Sequence, residues 1–133
     1  MKIALVSDIH ANFEAFKSVL ADIDKDGIDT IVCLGDAIGY GPEPEAVIQE
    51  IQRRELPNII GNHEMAVCDR EHLNWFNPMA RRSLEMTMEM LSQSSLEYIK
   101  QLPYSLVVAN GRCVHGFPRA PMKVSVGNSF FHN

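Results

Sequence analysis

The sequence predicts an α/β fold with a mixed sheet and packed helices, and three observations lead to this prediction. A strand, a helix and a second strand follow one another at the start of the chain. Glycine-containing polar loops then follow successive apolar runs, as they do at the carboxyl ends of parallel strands. The pair Asn110-Gly111 lies between two short apolar runs and indicates an antiparallel hairpin. We therefore expect a sheet that is parallel at its start and is closed by the hairpin.

The opening unit is defined by a change in hydrophobic period. Residues 2–6 form a short apolar run that is typical of a buried strand. Asn12 is a plausible N-cap and Gly27 a plausible end for the helix that follows. The apolar side chains of this helix recur at helical spacing: Phe13, Phe16, Val19, Leu20 and Ile23. Residues 30–34 form the second apolar run, so the unit predicts a right-handed parallel crossover.

The remaining elements are predicted in the same way. A glycine-rich loop at 35–42 precedes a helix that begins at 42–45 and ends near residue 54, and a third strand covers 57–60. Residues 61–64 are interpreted as a glycine-led loop. Residues 77–101 are helical by composition, with a break at 92–95, and we expect their methionines in the core. Residues 104–108 and 112–114 flank the hairpin turn, whereas 118–133 show little periodicity.

Composition limits the classes of function. The 133 residues predict a single domain, 1–133, and their hydrophobic fraction of 46% can fill a core. Seventeen acidic and twelve basic residues give a formal charge of −5, which does not support a broad basic surface for duplex nucleic acid. No apolar run approaches the ~18–20 residues that cross a bilayer. We interpret Cys33, Cys68 and Cys113 as buried thiols of a reducing compartment, and we expect a cytoplasmic protein.

Four polar clusters follow four predicted strands, at the edge of the sheet where ligands bind in open α/β folds. Each residue alone is better explained as a cap, a turn residue or a satisfied histidine, but six polar groups converging on one edge favour a metal site. Carboxylate and imidazole ligands suit Mn, Fe, Ni, Co or Zn, and one carboxylate can bridge two ions ~3.5–4 Å apart. The clusters are Asp8 and His10, Asp36, Asn62 and His63, and His115.

These residues carry a resemblance to a known family. Asp8-Ile9-His10, the stretch 35–42 (GDAIGYGP), 61–64 (GNHE) and Val114-His115-Gly116 resemble the successive D-x-H, G-D-x-x-G, G-N-H-[DE] and H-G motifs of the calcineurin-like metallophosphoesterases. The G-D-x-x-G-Y-G-P form is most similar to the small bacterial phosphodiesterase branch. The resemblance covers residues 3 to about 121 and implies the N-terminal part of an α/β/β/α sandwich.

The resemblance implies a role for each motif residue. Asp8 and His10 would hold a first divalent ion, Asp36 would bridge two ions, and Asn62 and His115 would hold the second. A hydroxide bridging the two ions would attack phosphorus in line. His63, with Asn62, would bind the phosphoryl group. His63 would also protonate the leaving alkoxide as the catalytic residue. The alternative for His63 is a structural histidine bonded to a loop, and Glu64 would orient it or cap the next helix.

One departure leaves two functions open. Family members continue to a Gly-His-[Thr/Ser] block whose histidines complete the metal shells, and His132 lacks that context. We therefore expect a partial domain. It would be either a phosphodiesterase acting on a small phosphoester or nucleotide-type substrate, or a weak or inactive metal- or phosphate-binding or regulatory fragment. Strands missing from the domain would leave apolar surface exposed, for which a homodimer is one solution and a folded-back tail is the other.

Overall fold

The first three elements form the parallel crossover that the sequence predicts. The computed structural model describes residues 1–116. Strand β1 (Ile3–Val6) pairs in parallel with β2 (Thr30–Cys33), with Ile3 opposite Thr30. Helix α1 (Phe13–Ile23) connects them, and the Asn12 carboxamide oxygen accepts the Ala15 N–H at 3.0 Å, which confirms the predicted N-cap. The chain leaves the helix through a turn that ends at Gly27, where φ is +61°.

The third predicted strand makes only a single parallel bridge, between Cys33 and Asn58. The predicted hairpin is present as β3 (Ser105–Val108) and β4 (Gly111–Val114), but in the described residues it forms its own two-stranded antiparallel sheet. It is tied to the third segment by a hydrogen bond from the Ile60 N–H to the Pro103 carbonyl, at 2.9 Å. The α/β class with parallel and antiparallel pairing is confirmed, although the ladder is not continuous.

Five helical segments lie between the second strand and the hairpin. They are α2 (Pro44–Arg53), α3 (Asn62–Cys68), a 3₁₀ helix (Arg70–Trp75), α4 (Pro78–Met90) and α5 (Gln93–Lys100). The side chains of Asn77 and Ser92 cap α4 and α5. The predicted break between the last two helices is therefore shorter than expected. Helix α3 begins inside the segment that the sequence indicated as a loop.

The main core lies between β2 and helices α1, α2 and α5. A second apolar cluster joins α3, the 3₁₀ helix and α4 through Ala66, Leu73 and Leu84. The buried residues of the main core are Phe16, Leu20, Cys33, Ala37, Ile38, Val47, Ile48, Ile51, Leu91 and Ile99. Because Ala37 and Ile38 belong to the loop after β2, the core anchors that loop directly.

Two sequence predictions about buried residues are wrong. Cys68 is exposed because it is the last residue of the short helix α3, and Cys113 is only partly buried on the hairpin. Three of the four methionines of α4 are not core residues, because its buried face is formed by Ala80, Leu84 and Thr87, whereas Met88 is partly buried against the second apolar cluster. The side chains of Met79, Met86 and Met90 lie on another face and are exposed.

Among the described residues, no helix combines the length and the apolar character that crossing a membrane requires.

Candidate metal centre

The loops that follow β1 and β2 lie side by side. The backbone N–H of Asp8 donates to the Gly35 carbonyl at 3.1 Å, and the N–H of His10 donates to the Asp36 carbonyl at 3.0 Å. These backbone hydrogen bonds extend the pairing of the two parallel strands beyond their ends. They bring the polar side chains of both loops to one edge of the sheet, as the sequence predicts.

Asp36 is the centre of the cluster. Its carboxylate is nearly inaccessible, and one oxygen, Oδ2, faces three imidazole Nε2 atoms: that of His115 at 3.3 Å, that of His10 at 3.9 Å and that of His63 at 4.0 Å. The other oxygen accepts the backbone N–H of His63 at 3.0 Å. Four segments that are distant in sequence therefore meet at a single buried carboxylate.

Backbone carbonyls orient two of these imidazole rings. Nδ1 of His10 lies 2.9 Å from the Ile38 carbonyl oxygen, and Nδ1 of His115 lies 2.6 Å from the Leu34 carbonyl oxygen. Since a carbonyl only accepts, Nδ1 carries the proton in each ring. The other ring nitrogen, Nε2, faces Asp36 in both residues. This second hydrogen bond is typical of metal-ligating histidines.

Glu64 binds the backbone of the loops that carry the candidate site. Its fully buried carboxylate accepts the backbone N–H groups of Asp36 at 2.9 Å, Ala37 at 2.7 Å and Gly61 at 2.9 Å. Burial raises the pKa of Glu64 to about 7, and the negative charge of Asp36 acts in the same direction. The sequence analysis assigned Glu64 to orienting His63 or to capping. Glu64 does cap α3 through the Gly61 N–H. Its hydrogen bonds to the loop after β2 join residues that are distant in sequence, so a local pattern does not predict them.

His63 is buried in an aromatic environment. Its ring makes edge contacts with the rings of His10 (4.6 Å between centroids), Tyr40 (4.9 Å) and Phe76 (5.0 Å). Its Nδ1 has no hydrogen-bond partner among the described residues, so the interpretation as a loop-bonded structural histidine does not fit this atom. Burial lowers the pKa of His63, while the charge of Asp36 opposes the shift. The sequence analysis missed Tyr40 and Phe76, although Tyr40 lies within the glycine-rich motif.

The donor atoms form two groups that share Asp36. One group contains His10, Asp36 and His63, the other contains Asp8, Asp36 and His115, and within each group the ligand atoms lie within 4.8 Å of one another. The Oδ1 atom of Asn62 is 3.1 Å from Nε2 of His115, which brings the amide to the second group. Oxygen and imidazole donors around a shared carboxylate fit first-row divalent ions. The orphaned Nδ1 of buried His63 shows a polar site that the protein alone does not satisfy.

The structure brings together every residue that the sequence predicted for the site, although in a different grouping. His63, which the resemblance places outside the metal shells, here shares a group with His10 and Asp36. His72 belongs to neither group and instead contacts the Met65 carbonyl at 3.2 Å. His132 lies outside the described residues.

The carboxylate, imidazole and amide groups at this edge of the α/β fold form a donor set that could hold a metal ion. The family model of the calcineurin-like phosphoesterases matches residues 1–130, and the chain belongs to this family. Members of the family bind divalent metals. The family therefore agrees with the donor atoms that surround Asp36.

Three known proteins are similar to this chain. It is 37% identical over 101 residues, 76% of its length, to an uncharacterised protein of Methanocaldococcus jannaschii, of which the match covers 42%. A metallophosphoesterase from Sphaerobacter thermophilus is 38% identical with a TM-score of 0.72, and the match covers 91% of this chain and 49% of that one. A candidate diadenosine tetraphosphatase, 22% identical with a TM-score of 0.70 over 90% of this chain and 53% of that one, shares the fold. The chain spans about half the length of these relatives.

Proposed function

We propose that this chain hydrolyses phosphoesters with the help of divalent metal ions, and that its substrates are phosphodiesters. The observation that carries the proposal is the convergence of three imidazole Nε2 atoms on one buried carboxylate oxygen of Asp36, with Asp8 and Asn62 beside them. Membership of the phosphoesterase family supports the class of reaction.

The site would hold two divalent ions of the Mn, Fe, Co, Ni or Zn type, with Asp36 shared between them. Asp8 and His10 would complete one set of ligands, and Asn62 and His115 the other. Such ions supply Lewis acidity and a nucleophilic hydroxide near neutral pH. The carbonyls behind His10 and His115 support this assignment, because they fix both rings with Nε2 facing inwards.

His63 and Asn62 would contact the substrate. Both residues begin helix α3, and the His63 backbone N–H donates to Asp36, which places them beside the shared carboxylate. His63 would donate its proton to the alkoxide oxygen that leaves phosphorus. Burial makes its imidazolium a stronger acid, and the neighbouring Asp36 carboxylate keeps the ring protonated to a higher pH than burial alone would allow.

The substrate would be a small phosphoester or a nucleotide-type molecule, since the formal charge of −5 gives no basic surface for a long nucleic acid. Three free cysteines suit a reducing compartment, for which we propose the cytoplasm. We also propose that the chain forms a homodimer.

Hydrolysis of bis(p-nitrophenyl) phosphate with added Mn²⁺ tests the proposed activity. Asp36→Ala should reduce the rate by at least about 100-fold, because it removes the shared ligand. Asp22→Ala is the matched control, since Asp22 is an exposed carboxylate of α1, and it should leave the rate unchanged. Equal low rates for the wild type and Asp36→Ala would contradict the proposal and would leave a metal- or phosphate-binding module.

The role of His63 is tested by changing the leaving group. His63→Ala should slow an alkyl phosphodiester far more than a nitrophenyl diester, because nitrophenolate leaves without a proton. Metal content is measured in the same samples, which separates loss of the acid from loss of a ligand. Equal losses on both substrates with full metal content would contradict the role of His63 as a general acid.

A further inference from the structure

A cavity of about 270 Å³ opens directly beside the candidate metal centre. Asn62 and His115 form the wall that it shares with the centre, and Met65, Trp75 and Tyr104 form much of the remaining surface. Ligand pockets for drug-sized molecules are about 300–1,000 Å³, so this cavity suits one ring system rather than an entire dinucleotide. A group that enters it would therefore be attached to a phosphoryl group at the metal centre.

Trp75 is exposed at this cavity but is held in position. Its side chain is 60% exposed, although it ends a 3₁₀ helix whose Leu73 is buried. The His72 ring packs against the indole with 4.3 Å between centroids and a tilt of 43°. His72 is itself fixed by the contact of its Nδ1 with the Met65 carbonyl. An aromatic ring that is already oriented loses little conformational entropy when a second ring stacks on it.

The chemistry of the cavity favours a flat, neutral group. The Met65 thioether, which the Tyr104 hydroxyl contacts at 3.8 Å, offers a polarisable surface suited to aromatic rings. In residues 1–116, no lysine or arginine lines the cavity, so a second anion would gain nothing there. Asn62 and His115 belong both to the cavity wall and to the metal centre. A ligand would therefore place its phosphoryl group at the metal centre and its aromatic ring in the cavity.

We propose that Trp75 is the stacking surface for the nucleobase of a nucleotide phosphodiester whose phosphoryl group occupies the centre at Asp36. This inference rests on the proposed function and specifies its substrate class. Trp75 is then a specificity-determining residue that contacts the substrate, and His72 is a positioning residue behind it. Stacking on an aromatic side chain is tolerant of base identity, so the site selects nucleotides without selecting one base.

Tryptophan fluorescence gives a direct test, because Trp75 is the single tryptophan of the chain. AMP should quench the emission saturably in the presence of Zn²⁺, which is diamagnetic. Ribose 5-phosphate, which has the same sugar phosphate and no base, should not quench it. Equal responses to both compounds would overturn the proposal, whether or not the protein hydrolyses phosphodiesters. Quenching by AMP without any hydrolysis would instead contradict the proposed function and support the stacking surface.

Two further variants separate stacking from folding. By calorimetry, AMP should bind about tenfold more weakly to Trp75→Ala, while Trp75→Phe should recover most of the affinity because it keeps a ring. Met79→Ala is the control, since Met79 is an exposed apolar side chain outside the cavity, and it should bind AMP like the wild type.

The matched substrates are the p-nitrophenyl diesters of thymidine 5′-phosphate and of methyl phosphate, which share their leaving group. In Trp75→Ala, kcat/KM for the thymidine ester divided by kcat/KM for the methyl ester should fall about tenfold. The fall should come from a higher KM for the thymidine ester. An unchanged ratio would overturn the proposal.

Discussion

Several residues of the site hold a backbone conformation that L-amino acids rarely adopt. Left-handed φ values are found in the loops after β1 and β2 at Asp8 (55°), His10 (47°), Ala11 (56°), Asp36 (55°) and Tyr40 (63°). Each such residue costs about 1–2 kcal/mol relative to right-handed backbone. The core contacts of the neighbouring loop residues and the hydrogen bonds to Glu64 offset this strain. The side chains are consequently aimed at one point before any ligand binds.

Gly39 is one of the positions at which the site leaves no room for a side chain. A methyl group there would overlap Nδ1 of His63, and φ is +84°. Gly39→Ala should therefore displace the imidazole and reduce phosphodiester hydrolysis by about 100-fold, because small misplacements of a reacting group have large effects on the rate.

Gly27→Ala is the matched control for this substitution. Gly27 also has a positive φ, of +61°, but nothing lies within 4 Å of the added methyl group. It should lower the free energy of unfolding by about 1 kcal/mol and leave hydrolysis intact. Urea denaturation measures the stability of both variants, and phosphodiester hydrolysis measures their activity. Similar rates for the two variants would show that His63 does not depend on close packing at Gly39.

At the scale of elements, an ion-pair network connects the ends of α1 and α2. Glu50 accepts hydrogen bonds from Arg53 at 2.6 Å and from Arg54 at 2.9 Å, and Arg54 also pairs with Asp24 at the end of α1. The hydrogen bond from Arg53 holds the pKa of Glu50 at about 2, against the opposing effect of burial. The network therefore favours the charged form of Glu50 in the folded state.

This shift predicts a particular pH dependence of stability. A depressed carboxyl pKa stabilises the fold above the ordinary value of about 4.5, and the contribution is lost as pH falls towards about 2. Glu50→Gln should lower the free energy of unfolding by about 1 kcal/mol at pH 7 and by almost nothing near pH 2. Urea denaturation across this range measures the difference. Glu89→Gln, which removes an exposed carboxylate without an ion pair in residues 1–116, should show no such pH dependence. If the free energy of unfolding depended on pH in the same way for both variants, this would contradict the role of the network.

The sequence predicted the elements whose signals are local. Asn12 is the N-cap that the sequence predicts, and the hydrophobic period located α1 and α2 within a few residues. Helix α3 was missed because it has only seven residues and begins within a glycine-led motif. The third strand was reduced to one bridge because strand pairing depends on a partner that a local pattern does not contain.

The candidate site was predicted more completely than the sheet. Each candidate ligand follows an apolar run, and the order of these runs is visible in the sequence. The roles of Glu64 and Tyr40 were not predicted, because both act on residues that are distant along the chain. Likewise, exposure of Cys68 and of the α4 methionines depends on which helix face packs inwards, and composition does not specify this face. The roles of the individual ligands and the extent of the domain stay predictions.

At the scale of the whole molecule, helix α4 presents an apolar stripe. Met79, Met86 and Met90 lie on one face at helical spacing, with exposed fractions of 81%, 54% and 42%. Flexible thioether side chains adapt to a partner surface, and a symmetric pair of such stripes is the simplest way to bury them. This stripe supports the homodimer that we propose.

Sedimentation at micromolar concentration tests this association. The wild type should sediment as a dimer, and Met86→Lys should shift it to a monomer, because the charge would be buried at the interface. Val107→Lys provides the comparison, since Val107 is an exposed apolar residue of β3, and it should remain dimeric. A wild-type monomer would contradict the proposal. Dissociation by Val107→Lys alone would move the interface to the hairpin.

Because the two sheets are separate, a metal ion at the centre would also connect them mechanically. Asp36 follows β2, whereas His115 follows β4, and no strand ladder joins these sheets in the described part of the chain. An ion held by both residues would act as a cross-link between two bodies that otherwise meet through side chains and a few hydrogen bonds. Unlike a disulfide, the ion would be released on unfolding, so its binding free energy would add to the stability of the folded state. The amide protons of the hairpin would then exchange with solvent at a rate that reports how fully the centre is occupied.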